Sequence, residues 1–172
     1  MAIFASEYQP TYHTSSIQQP SEIPGFTFVN SRELQSIISR DYQELVVCSQ
    51  QKLHKATVVM AGAVLEALLL DALLQQKQTA EENSKAPKSR GGDVKSLEEW
   101  GLNDLLTVAL ELKLIENNIE GLSHPIRELR NLIHAGKEIR TKTIFDENEA
   151  GIAIRVVNIV IRNLSSCTRV ES

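Results

Sequence analysis

Val58-Val-Met-Ala-Gly-Ala-Val-Leu-Glu66-Ala-Leu-Leu-Leu-Asp71-Ala-Leu-Leu74 decides the fold. Alanine and leucine, both strong helix formers, fill it, and no proline interrupts it. The surrounding segment, about Lys52 to Gln78, reads as one helix. Between Val58 and Leu74 it is apolar almost all round, so it is the expected buried centre of the molecule. Gly62 costs about 1 kcal/mol against alanine inside a helix, and close approach of another helix is the expected reason for it. Glu66 is the odd residue in this apolar setting. Buried, it needs a partner, for which Arg127 or Arg130 is available; at the edge of the apolar face it is wet.

Working outward, Asn30-Ser-Arg-Glu33 has the form of a helix start, an asparagine cap with a glutamate three residues on. Leu34, Ile37, Ile38, Tyr42, Leu45 and Val46 follow at helical spacing, and this first helix is expected to end near Val47–Gln50. On the other side, residues 79–95 turn to Glu, Asn, Ser, Lys, Pro and Gly-Gly, which predicts a mobile loop. Its cations, Lys85, Lys88, Arg90 and Lys95, suit a solvated loop better than an RNA contact. Ser96-Leu-Glu-Glu99 has capping-box form and leads past Trp100, a core-edge anchor, into a third helix over Leu102–Leu114. Asp146-Glu-Asn-Glu149 has the same form. After it Ile152, Val156, Val157, Val160, Ile161 and Leu164 mark a last helix, with strand a minor alternative because of the β-branched content.

These segments predict an all-α protein, a single up-and-down bundle of four to five helices over residues 30–166. Residues 1–29 hold three of the five prolines with many Ser, Thr and Gln, and read as an extended or disordered arm, with Phe26, Phe28 and Val29 available to dock on the body. Residues 167–172 are a tail. A chain of 172 residues with 42% hydrophobic and 23% charged content is expected to form one soluble domain. The net charge of −4 argues against a surface that grips nucleic acid everywhere, and leaves room for a local basic patch. Cys48 and Cys167 read as reduced thiols in a cytoplasmic protein. The four histidines form no zinc-type spacing, so no metal or cofactor is expected. No secretory signal opens the chain, and the run Val58–Leu70, interrupted by Glu66, is short of the roughly 20 residues that a bilayer requires.

The chemistry concentrates in Arg127-Glu-Leu-Arg130-Asn131-Leu-Ile-His134-Ala-Gly136. Ser123 and Pro125 suit a helix start and Gly136 a helix stop. On a helix Arg127, Arg130, Asn131 and His134 share one face, at offsets of three, four and seven. Two permanent cations, an amide and a group that titrates near neutrality suit a phosphate. Cleavage of RNA needs a base for the 2′-hydroxyl, an acid for the 5′-oxygen and positive charge on the phosphorane. One helix supplies one histidine, so the arrangement makes more chemical sense as a symmetric pair. The same residues also suit structural salt bridges and a histidine placed by the helix dipole.

Arg127, six residues, then His134 resembles the signature of HEPN domains, an arginine, four to six residues and a histidine. Arg130-Asn131 also resembles that motif, in which a polar residue commonly follows the arginine. The gap from Arg130 to His134 is three, and Glu128 follows Arg127, so either arginine is a candidate for the role. Ala61–Leu70 and Trp100–Leu106 are similar to segments of small prokaryotic proteins of this class, and the resemblance spans about residues 30–165. It implies a bundle of four or five helices, a homodimer formed through the motif face, and metal-independent endoribonuclease activity. In that reading Arg127, Arg130, Asn131 and His134 are catalytic and Glu66 is a supporting residue. It also implies a toxin–antitoxin or other defence setting, an RNA substrate, a separate antitoxin or effector protein, and no membrane. Some HEPN domains lack catalysis, and the alternative is a helical module for dimerisation and protein or RNA binding.

Overall fold

The computed structural model describes residues 24–115 and 145–167. The protein is all-α. Five α-helices stand among the described residues: α1 (Arg32–Gln50), α2 (His54–Leu74), α3 (Lys77–Glu81), α4 (Leu102–Glu111) and α5 (Glu147–Cys167), with one 3₁₀ turn at Leu97–Glu99.

Helix α2 is the centre, as its composition predicts. α1, α4 and α5 all pack on it. Val58, Ala61, Val64, Leu65, Leu68, Leu69, Ala72 and Leu73 are buried, and these positions cover most of its circumference. At 21 residues, with a mean hydropathy of 2.0 over its most apolar 18, α2 is long and apolar enough by length and composition to cross a membrane. The helix is therefore longer than the run read from the sequence, because His54–Thr57 and Asp71–Leu74 extend it. Of its most apolar window, 61% is buried inside the bundle.

α1 runs antiparallel to α2. A three-residue turn joins them, and the far end of α2 meets the start of α1. The turn is built on Lys52, which adopts a left-handed φ of 55°. The Lys52 N–H donates to Ser49 O at 3.0 Å and the Leu53 N–H to Cys48 O at 2.9 Å, closing the last carbonyls of α1. Lys113 repeats the device after α4 at φ 58°: its N–H donates to Leu110 O and the Leu114 N–H to Ala109 O. Glycine accepts this conformation without the Cβ penalty that lysine carries. Lys52→Gly is expected to raise stability by about 0.5–1 kcal/mol, read as a melting temperature higher by about 1–4 °C.

The first helix starts one residue later than the cap reading predicts. Ser31 is the cap, its Oγ accepting from the Leu34 N–H at 3.2 Å. Asn30 instead gives its backbone N–H to Asp71, 41 residues away in sequence. Ile38 and Leu45 are buried, whereas Ile37 is exposed. Residues 24–29 dock on the body: Phe26 is 1% exposed and packs edge-on against Tyr42 at 5.5 Å between ring centroids.

The long second helix of the sequence reading is two helices. Gln76 leaves helical geometry at φ −134°, and α3 follows. No proline or glycine marks the break; the bend places Ala80 in the core, fully buried. The loop accordingly begins after Glu81. Within it a bridge pairs Lys88 with Val94, and Gly92 turns the tip at φ 94°. Trp100 is buried and its Nε1–H donates to Lys95 O at 2.9 Å, tying the loop's end to the core.

α4 ends at Glu111, three residues short of the sequence reading, at the Lys113 turn. α5 is a helix throughout, despite its β-branched residues, because Ala153, Val156, Val157, Val160 and Leu164 form one buried stripe. Ile152 is exposed and Ala153 takes the core position beside it. Its start is a reciprocal cap: the Asn148 N–H donates to Asp146 Oδ1 at 2.6 Å and the Asp146 N–H to Glu149 Oε2 at 3.3 Å. Hydrogen bonding shared with the Glu149 side chain, and the N–H that Asn148 donates, hold the Asp146 carboxyl below its usual value.

Candidate functional site

The polar stripe, Arg127, Arg130, Asn131 and His134, lies outside the described residues, and so does the segment from Glu116 to Ile144 that carries it. What the structure places is the frame on either side. Ile115 is buried, 1% exposed, at the end of the α4 turn. Phe145 is partly buried against the core, and the Lys55 ammonium sits 5.3 Å from its ring centroid. That is cation–π range, and it sets the start of α5 beside the start of α2. Ile115 and Phe145, the described residues on either side of that segment, both pack on the bundle.

Glu66 is exposed. Of the two readings open to it, the wet edge holds: it projects from α2 between the buried Leu65 and Ala67, and needs no buried partner. Its expected pairing with Arg127 or Arg130 lies outside the described residues. The acid that α2 does bury is Asp71, 3% exposed, which accepts hydrogen bonds from the Asn30 N–H at 3.1 Å, the Ser31 N–H at 2.9 Å and Gln75 Nε2 at 2.8 Å. Asp71 lies in the same apolar run as Glu66, five residues on, and the signal that distinguishes it is the helix start at Asn30-Ser31 that it caps from a distance.

Gly62 is buried, yet a Cβ built there meets no described atom within 4 Å. The close helix approach expected at Gly62 is not found among the described residues.

Other chemistry among the described residues is sparse. No cluster of three His, Cys, Asp or Glu that could hold a metal occurs among them. Cys48 is a free, half-buried thiol at the α1 end. Burial pushes its pKa up and the Glu44 carboxylate, one turn before it, pushes it further, so it is a poor thiolate and a poor nucleophile. His54 and Lys55 border an apolar groove of about 540 Å³ with Cys48, Leu53, Val59 and Met60. Every side-chain polar atom fully buried among the described residues has a hydrogen-bond partner.

The outward face of α5 is the second basic feature. Arg155 and Arg162, seven residues apart, flank Asn158, and all three are exposed. With Gly151, Ile154 and Ile159 they line an open groove of about 370 Å³.

Compared with protein-family models, with curated proteins and with solved structures, the chain matches none.

Proposed function

We propose that the protein is a HEPN-like, metal-independent endoribonuclease that acts as a homodimer. The observation that carries the proposal is the sequence stripe Arg127, Arg130, Asn131 and His134. The all-α bundle around one apolar helix is the architecture that the resemblance implies, and it supports the reading without testing the chemistry.

His134 takes the proton of a 2′-hydroxyl. The 2′-oxygen then attacks the adjacent phosphorus, and the bond from phosphorus to the 5′-oxygen breaks. The leaving oxygen takes a proton from His134 of the partner subunit. The products are a 2′,3′-cyclic phosphate and a free 5′-hydroxyl. One or both of Arg127 and Arg130 hold the phosphate and offset the charge of the phosphorane, and Asn131 orients it. The setting proposed is the cytoplasm, with RNA as substrate and a separate antitoxin or effector protein as regulator.

His134→Ala is expected to lower the rate of RNA cleavage in the presence of EDTA by at least about 100-fold. Its thermal melt should match that of the parent. Cleavage that persists in the variant removes His134 from the chemistry. An absence of cleavage by the parent itself favours the non-catalytic module, in which the same residues bind and do not cut.

A further inference from the structure

The structure assigns a second phosphate-contacting surface to α5: we infer that Arg155, Asn158 and Arg162 hold the backbone of a single RNA strand. This rests on the ribonuclease reading and names where substrate lies beyond the reacting phosphate.

The sequence sets it up. From Ala150 to Val170 no acidic residue occurs, in a chain whose net charge is −4. The basic positions in that span are Arg155, Arg162 and Arg169, each seven residues from the last, with Arg169 outside the described residues. An interval of seven keeps side chains on one helix face, and Asn158, at three and four from its neighbours, joins them. The buried stripe of Ala153, Val156, Val157, Val160 and Leu164 fixes which face that is: it turns Arg155, Asn158 and Arg162 outward.

The local geometry keeps these groups available. On a helix surface a side chain of opposite charge three or four residues away would pair with such a guanidinium. Here none is present, and among the described residues neither guanidinium is in an ion pair or hydrogen bond. The groove between them is open. Gly151 leaves one end without a side chain, and a Cβ added there meets no described atom within 4 Å. The half-buried Ile154 and Ile159 form its apolar walls.

The chemistry selects the occupant. Guanidinium forks match phosphate oxygens, and an amide adds a donor. Seven residues of helix rise about 10 Å, so the two guanidinium groups stand far enough apart to meet different phosphates of one strand. A protein partner would want an apolar centre with a polar rim. This face is the reverse, with arginines and an asparagine along its middle and isoleucine at its sides.

The test is fluorescence anisotropy with a labelled single-stranded RNA of mixed sequence, in EDTA, on full-length His134→Ala protein so that the probe stays intact. Arg155→Gln with Arg162→Gln is expected to weaken binding at least about ten-fold, and to flatten the dependence of log Kd on log salt by about 1.4 for the two lost phosphates. Arg32→Gln with Lys77→Gln, exposed cations on other helices, removes the same charge and should leave affinity within about two-fold. Equal losses in both double variants, unchanged affinity in the α5 variant, or no RNA binding by the parent overturns the assignment. So does displacement of the RNA by polyglutamate as effective as that by unlabelled RNA, which would mark an acidic protein as the occupant. The two proposals separate cleanly. Loss of binding in the α5 variant beside a wild-type protein that does not cut leaves the surface standing and removes the enzyme. His134-dependent cutting with unchanged binding does the opposite.

Discussion

Phe26→Ala is expected to cost about 4 kcal/mol of stability, the middle of the range for a buried aromatic truncated to alanine. Phe26 is 1% exposed, whereas Phe28 in the same segment is only partly buried. The Phe26 ring meets Tyr42 at 5.5 Å and Phe28 at 6.2 Å between centroids. Its carbonyl accepts from Gln35 Nε2 at 3.0 Å, so backbone and side chain are both held by α1. Alanine leaves a void against Tyr42 that the helix cannot close without moving. For a chain of this size the melting temperature should fall by about 8–16 °C. A change within about 0.5 kcal/mol is what a loosely attached arm would give, and would contradict the docking of residues 24–29.

Asp71→Ala is expected to cost about 3 kcal/mol. The Asp71 carboxylate reaches from the last turns of α2 to the start of α1, where it accepts the Asn30 and Ser31 N–H groups. A charged acceptor for two backbone donors at a helix start is worth more than a neutral cap, since the helix dipole favours the negative charge there. Alanine strips both donors of their partner, and Gln75 Nε2 of a third bond. Asp71→Asn should lose less, because its amide keeps one oxygen acceptor while its NH₂ faces the remaining donor. Denaturant unfolding of the three proteins gives the order wild type, Asn, Ala. An alanine variant as stable as wild type would show that the α1 start is held by Ser31 alone.

Phe26 and Asp71 secure the same stretch, one on each side of Asn30. Their effects should therefore couple, the double variant losing less than the sum of the two.

These two residues also show what the sequence does and does not reveal. That α2 is the core helix is legible in Val58–Leu74, because an all-round apolar surface has nowhere to go but inside. The places of α1, α4 and α5 follow from their apolar periodicity. Asp71 stands in the same run as Glu66, and composition marks Glu66 as the anomaly. Burial reverses that order, with Asp71 inside and Glu66 exposed, because the helix start at Asn30-Ser31 supplies donors to one and not to the other. A cap supplied from another helix leaves no local pattern. The break at Gln75–Gln76 is hidden for a related reason: no breaker residue causes it, and the burial of Ala80 does. The left-handed lysines at 52 and 113 are equally silent, as glycine is the usual signal at such positions. Of the candidate site, the residue types and their spacing are legible in Arg127–His134. Whether two copies meet depends on a surface that no spacing encodes.

The central claim is that each chain carries half of a ribonuclease site. It is tested most directly by following RNA cleavage in EDTA as the protein is diluted, with the molar mass read in parallel by light scattering. The account predicts cutting by the wild-type chain, abolished in His134→Ala, with a rate per chain that falls in step with the dimer fraction. A rate per chain that stays constant where only monomers remain, or no cutting at concentrations where the chain is dimeric, would contradict it.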